Sequence, residues 1–464
     1  MERTNTVSLF ETISTLLEKK RYSTLRDILT TLNPVDIAAV FEDLQSEKSA
    51  ILFRLLPKET AADTFVEMDE DTQELLINGF SDTELKEVID EMYVDDAVDL
   101  IEEMPANVVK RILRHADPET RKAINEILKY PEDSAGSIMT TEFVALRPKM
   151  TVEEAIKRIR RTGIDKETIY TCYVTDTSST LIGIVTIKTL LLSEEDEVIE
   201  NIMETNVIAV NTLDDQEEVA QMFNKYNFLA LPVVDKENRI VGIVTVDDAM
   251  DVMEEEATED IQKMAAITPT TDKPYDKVGV FETYFSRIPW LLILMISATF
   301  TGMIITGYED ALAASSAVYL TAFIPMLMDT GGNSGSQASV TVIRALSLGE
   351  IEFKDIFKVV FKECRVSLLC GVTLAAANFA KMMLFDKLVL HNSDITPLVA
   401  FTVCLTMVVT IFCAKFVGCT LPMLAKKIGF DPAVMASPFI TTIVDAISLI
   451  VYFRIATALL NVHV

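Results

Sequence analysis

Hydrophobic positions change their rhythm twice along these 464 residues. Up to about residue 130 they recur at helical spacing in phrases that restart alike: NPVDIAAVFEDL, PKETAADTFVEM, SDTELKEVIDEM and YVDDAVDLIEEM. Each phrase carries a Pro, Ser or Asp start signal and closes on Leu or Met. This predicts a stack of short antiparallel helices, an α-solenoid-like domain whose units bury one another's apolar faces and turn their acids outward. From Ser137 the period changes to strand, amphipathic helix, two strands joined by a turn, and a helix, and that unit occurs twice. After Thr283 the apolar runs approach the roughly 20 residues needed to span a bilayer. Five spans are read, at about 287–308, 316–347, 357–385, 395–424 and 432–459.

The two central copies are IMTTEFVALRPKMTVEEAI, TIYTCYVTD and LIGIVTIKTLL, echoed by IMETNVIAVNTLDDQEEVA, FLALPVVD and IVGIVTVDDAM. Met139 corresponds to Met203, and Glu153 and Glu154 to Glu217 and Glu218. The turns fall at Thr177–Ser179 and Lys236–Asn238. This repeat resembles a pair of CBS motifs, which implies a regulatory module able to hold ATP or another adenosine nucleotide. The stretch DDAMDVMEEEATEDIQKMAAI then predicts a long helix leading toward the first span, either a rigid linker or a lever. The expected domains are an acidic helical N domain (1–133), a tandem α/β CBS domain (134–253), a connecting helix (254–282) and an all-α membrane domain of five helices (283–464).

Charge sharpens this division. The net charge of −29 is uneven: residues 283–464 hold 12 bases and 11 acids, so residues 1–282 carry about −30. A half this acidic is repelled by nucleic acid and by anionic lipid, which leaves divalent cations as natural partners beside the plainer reading of a solvated surface. Six cysteines form no CxxC or Cys/His cluster and read as packing residues. The opening MERTNTVSLFETISTLLEKKRY lacks the order of a secretory signal, which predicts a cytoplasmic N-terminal half. Lysines 354, 358, 362, 426 and 427 in alternate loops favour the same orientation and an external C-terminus; Lys381 and Lys387 count against it. His115, His391 and His463 are scattered and no nucleophile is activated, so no enzyme is expected.

Two segments carry chemistry. In DPAVMASPFITTIVDAISLIVYF, Asp445 sits among apolar residues; an ionised carboxylate at a helix centre costs about 3 kcal/mol to insert, so it faces a pore or a partner such as Arg344 or Arg454. Asp431 precedes Pro432 as a helix cap and could also meet a cation at the pore mouth. In FIPMLMDTGGNSGSQASVTVIRALSLG, Gly331, Gly332 and Gly335 either weaken the helix or let another approach, while Asn333, Ser334, Ser336 and Gln337 offer oxygens at membrane depth.

FIPMLMDTGGNSGSQ, IRALSLGE, LPMLAKKIGFDPAV and SPFITTIVD resemble the MgtE family of magnesium channels and transporters, over essentially the whole chain. The resemblance implies a homodimer in a bacterial inner membrane that admits Mg²⁺ and closes when intracellular Mg²⁺ binds its cytoplasmic acids. It implies Asp445 as pore carboxylate, with Asn333, Gly331 and Gly332 beside it and Asp431 at the mouth. Asp248, Asp251, Glu256, Glu259, Asp260, Glu217, Asp95 and Asp99 resemble the sensor ligands; Asn227 stands where some relatives carry an acid, and Asp329 is unassigned. The alternatives are another divalent-cation transporter, an ion-coupled exchanger, or a CBS-regulated membrane sensor.

Overall fold

A spacing of twelve residues builds the N-terminal helices. They are α1 (Glu2–Glu18), α2 (Tyr22–Leu29), α3 (Pro34–Phe41), α4 (Ser46–Phe53), α5 (Lys58–Val66), α6 (Glu70–Gly79), α7 (Asp82–Glu91), α8 (Val94–Glu103), α9 (Ala106–His115) and α10 (Pro118–Ile127). From α5 onward the capping positions are 57, 69, 81, 93, 105 and 117, so each unit restarts after the same interval. The caps have ordinary chemistry: Asp69 accepts from the Thr72 N–H at 2.9 Å, and Ser81 and Glu84 form a reciprocal capping box. The same interval sets the core. Phe41, Phe53, Phe65, Ile77, Ile89 and Ile101 are all buried, as are Met68, Phe80, Met92, Met104 and Ala116 at the helix exits. Helices therefore pack two apart, α3 on α5 on α7 on α9, and α8 on α10.

The computed structural model describes every residue except 1, 42, 43, 45, 165, 270–274, 276, 315–317, 392–394, 436 and 461–464. It divides into two units, Met1–Met253 and Glu254–Val464. The first contains the helical stack and two three-stranded sheets. One sheet is β1 (Ala145–Leu146), β2 (Thr171–Thr175) and β3 (Leu181–Thr186), with α11 (Val152–Thr162) before β2 and α12 (Ile187–Leu192) after β3. After a short α13 (Ile199–Ile202), the second repeats the order with β4 (Val210–Asn211), α14 (Gln216–Tyr226), β5 (Ala230–Val234), β6 (Ile240–Thr245) and α15 (Val246–Met264). In both, a parallel pair is followed by an antiparallel one.

The paired methionines noted in the sequence have a reciprocal packing role. A side chain added at Gly242 would meet Met139 Sδ at 2.6 Å, and one at Gly183 would meet Met203 Sδ at 2.8 Å. Each copy thus inserts its methionine over the glycine of the other copy's last strand. Backbone bridges follow the same exchange, Thr140 with Ile243 and Glu204 with Ile184. Asn227, the departure noted above, ends α14 in the left-handed region at φ 55°, a conformation that Asn tolerates better than most residues.

The second unit continues α15 and adds α16 (Val280–Ala314), α17 (Ile324–Ser347), α18 (Ile356–Lys381), α19 (Pro397–Lys427) and α20 (Ser437–Leu460). Four stretches among the described residues are long and apolar enough to cross a membrane: Val280–Tyr308, Phe353–Val389, Pro397–Lys427 and Pro432–Leu460. The expected span at 316–347 is not among them. Its first positions lie outside the described residues, Val318–Phe323 is a 3₁₀ turn, and α17 carries polar residues through its length. The expected connecting segment 254–282 likewise contains undescribed positions; its described helical part is the end of α15, and α16 begins at Val280.

Sequence reading left open whether the glycines weaken α17 or let another helix approach it. The helix is continuous, and the glycines serve approach. A side chain at Gly335 would lie 2.9 Å from Ile440 Cγ2, and one at Gly418 would collide with the Gly335 carbonyl oxygen. Gly418→Ala is therefore expected to lower the melting temperature of the detergent-solubilised protein by several degrees, since overpacking costs about 1–3 kcal/mol. Gly302→Ala, whose added methyl meets nothing within 4 Å, should not lower it.

Candidate functional site

Two helix starts converge on one acidic cavity in the first unit. α8 opens with Asp95 and Asp96 and α15 with Asp247 and Asp248, and acids in a first turn are favoured by the helix dipole. The Val94 N–H donates to Glu142 Oε2 at 3.1 Å, so an acid from the CBS segment caps α8. Asp248 Oδ2 accepts from the Thr245 hydroxyl at 2.5 Å and from its N–H at 3.3 Å. Between these turns lies a cavity of about 290 Å³. Eight of its twelve lining residues are Asp63, Glu67, Glu91, Asp95, Asp96, Glu167, Asp247 and Asp248, and none is Lys or Arg.

Carboxylate oxygens of Asp95, Glu142 and Glu167 lie within 4.8 Å of one another. Glu167 Oε2 is buried and accepts no hydrogen bond. Oxygen-only donors at this separation suit a hard divalent cation, which would remove their repulsion. Without one, protons must do so. Burial, then the charges of Asp248 and Asp247, pushes Asp96 up to about 7. Burial, then Asp96, Asp247 and Asp248, pushes Glu167 up to about 8. Asp95 is driven in the same direction by burial and by Asp248. Burial also raises Asp248, against the Thr245 hydrogen bond that favours its ionised form. Asp99, one turn further along α8, is exposed and does not line the cavity; surrounding protein and then the Asp248 charge push it upward while water screens the push.

The structure thus brings together Asp95, Asp99 and Asp248 from the expected sensor set, with Asp251 near enough to act on Glu67. It adds Asp96, Asp247, Glu142 and Glu167, which the sequence reading missed. Glu217 is not among the cavity residues; on the first turn of α14 it accepts from Gln221 at 3.1 Å. Glu256 lies half-buried on α15, in the second unit. Glu259, Asp260 and Asp431 form a separate group. Lys263 Nζ lies 2.6 Å from Glu259 Oε1 and 2.7 Å from Asp431 Oδ2, and Asp260 Oδ2 accepts from the Ser347 hydroxyl at 3.1 Å. Asp431 Oδ1 also accepts from the Ala433 N–H at 2.7 Å, in keeping with its expected capping chemistry.

In the helices beyond, Asp445 Oδ1 is buried on α20 and accepts no hydrogen bond. No ion pair among the described residues joins Asp445 to Arg344 or Arg454. The charge acting on it is that of Asp329, previously unassigned, whose Oδ1 accepts from Asn333 Nδ2 at 3.0 Å. Asp329, Asn333 and Gln337 recur every fourth residue and form an exposed polar stripe on α17. Gly331 and Gly332 lie on the buried side: added side chains would lie 2.7 Å from Thr410 Cγ2 and 2.8 Å from Thr441 Cγ2. Their placement is that of packing residues, which hold the polar stripe at its present distance from α20.

Known proteins match this chain in sequence over nearly its whole length. A profile described as a divalent cation transporter matches residues 324–455, one for the MgtE intracellular N domain matches 32–133, and a CBS-domain profile matches 135–195 and 199–255. The magnesium transporter MgtE of Thermus thermophilus is 36% identical over 465 residues, covering 99% of this chain and all of that protein. The chain belongs to the MgtE family of magnesium transporters. MgtE of Bacillus subtilis is 32% identical, with 96% of each chain covered. The crystal structure of the cytosolic domain of the Mg²⁺ channel MgtE in complex with ATP is 36% identical and covers 52% of this chain and 99% of its own, with a TM-score of 0.50. The soluble part of a magnesium transporter is 31% identical over 54% and 99% of the two chains, with a TM-score of 0.51. Members of the MgtE family are membrane-inserted transporters, not enzymes.

Raised carboxylates fix the sign of a pH effect. Between the usual carboxylate range and about pH 8 the folded cluster holds more protons than the unfolded chain, so stability falls as pH rises. In metal-free full-length protein, amide exchange of α8, corrected for its intrinsic pH dependence, should accelerate from pH 5.5 to 8.5. Asp96→Asn should flatten that dependence.

Proposed function

We propose that this MgtE-family chain is a Mg²⁺-selective channel that admits Mg²⁺ and closes when intracellular Mg²⁺ binds the acidic cavity between α8 and α15. The observation that carries this reading is the cavity itself: eight acids, no base, and a buried Glu167 oxygen without a partner. Repulsion among these carboxylates separates the two helix starts when the cation is absent. A bound Mg²⁺ holds them together through Asp95, Glu142 and Glu167, with Asp96, Asp99, Asp247 and Asp248 around it. Exposed charges are screened over about 8 Å at physiological salt, so the effect rests on short bridging contacts.

For permeation we assign Asp445 as the pore carboxylate, with Asp329 and Asn333 completing a polar wall from α17. Hydrated Mg²⁺ keeps its waters and is recognised through them by carboxylate and amide oxygens. The exposed stripe on α17 is completed by a second copy, which makes the channel a homodimer, and α17 is its fifth span. The soluble half lies in the cytoplasm, the C-terminus outside, and the membrane is the bacterial inner membrane. The likeness to the ATP-bound cytosolic domain supports an adenosine-nucleotide site at the CBS pair.

Proteoliposome flux tests both halves of the reading. Asp445→Asn should reduce Mg²⁺ uptake at least tenfold, and undiminished uptake would remove the pore assignment. Glu167→Gln with Asp248→Asn should leave conduction at low Mg²⁺ intact while moving closure to a several-fold higher internal Mg²⁺; an unmoved closing concentration would refute gating at this cavity.

A further inference from the structure

We infer that Lys263 is a built-in cation that occupies, in the absence of metal, the carboxylate pair Glu259 and Asp431 on which a divalent ion would bear. This rests on the reading of those two acids as metal ligands. Its independent ground is the geometry at the end of α15. The Lys263 ammonium bridges a carboxylate of its own helix at 2.6 Å and one on the turn before α20 at 2.7 Å. One turn of contacts surrounds it. Asp260 accepts from Ser347 at the last residue of α17, and Met264 packs against Ile343 and Ala433. Asp431 is fixed on its other oxygen by the Ala433 N–H.

A cation is required here for the same reason as in the acidic cavity. Glu259, Asp260 and Asp431 approach from two directions, and Asp431 adds to the electrostatic pressure on Asp260. In the cavity nothing covalently attached neutralises the acids. At this second group an ammonium does, and its attachment makes it independent of metal concentration. Two consequences follow. The last turns of α15 remain docked on α17 and on the turn into α20 when no metal is present, and a divalent ion entering between Glu259 and Asp431 must first displace Lys263. The side chains are about one-fifth to one-third exposed, so solvent screens the pair and its effect is modest.

Hydrogen exchange on the full-length protein, titrated with Mg²⁺ alone, distinguishes these consequences. In Lys263→Gln, amides 258–264 should exchange about two- to fivefold faster without metal, and the Mg²⁺ concentration that half-protects them should fall about two- to fivefold. Lys263→Arg should restore the metal-free protection, whereas Lys263→Met, which keeps an apolar stem without the charge, should not. Unchanged exchange of the α1–α10 amides verifies the fold. The inference is overturned if metal-free exchange in Lys263→Gln equals that of the parent, or if the half-protecting concentration rises. Asp431→Asn separates this result from the reading beneath it: metal-free loosening with an unchanged response to Mg²⁺ refutes Asp431 as a metal ligand and the competition with it, whereas a lost response supports both.

Discussion

Mutual repulsion of carboxylates held in a small space is the constraint around which the first unit is arranged. Four acids occupy the first turns of α8 and α15, and both turns border the same cavity. Each helix start stabilises its own acids through its dipole and free N–H groups, but neither offsets the repulsion between the two sets. What holds them in place is rigidity built elsewhere. The twelve-residue repeat fixes α8 within a continuous apolar core, and the reciprocal Met139 and Met203 contacts lock the two sheets from which α15 emerges. The scaffold thus fixes each set of acids on its own helix, and the repulsion between the two sets is left for the solution to offset.

The membrane unit solves a related problem differently. Asp445 is one carboxylate on an otherwise apolar helix, and its position depends on how closely α17 can approach α20. Gly331, Gly332 and Gly335 remove the side chains that would keep them apart, so the role of these glycines is to set a distance. The polar residues of α17 then occupy the opposite stripe. A helix whose one side is small and buried and whose other side is polar and exposed falls short of the hydrophobicity of a lipid-facing span, which is why only its neighbours meet that criterion by length and composition.

Much of this was legible in the sequence because the signals are local. Start residues at 34, 57 and 81, the alternation of strands and helices in two copies, and the apolar runs beyond 283 each specify an element from its own residues. Asp95, Asp99, Asp248 and Asp251 were named only through the family resemblance, and Asp96 and Asp247 beside them were passed over. Glu142 and Glu167 stand in separate loops with no periodic context, and only the tertiary fold carries them to α8. The pairing of Asp329 with Asp445 depends on helix packing across more than a hundred residues, and no spacing rule reports it. Lys263 was passed over because a lysine in an acidic helix ordinarily belongs to an i,i+4 pair, which it does form with Glu259; its second contact, to Asp431, is invisible from the helix alone.

Taken together, the acidic cavity and the Lys263 group differ in one respect that matters for control. Both gather carboxylates from separate elements, and both demand positive charge. The cavity has no attached cation, so on the proposed function its geometry follows the concentration of free Mg²⁺ and protons. The Lys263 group carries its own, so its geometry has a floor that solution conditions do not remove. A single helix, α15, begins at the first and ends at the second. If the starting end responds to metal while the finishing end keeps a fixed tether, metal acts on α15 by changing the freedom of its first turns and only afterwards by competing at its last. The order of events on raising Mg²⁺ would then be set by covalent structure: the uncompensated acids bind first, and the compensated pair binds only at concentrations sufficient to displace an ammonium.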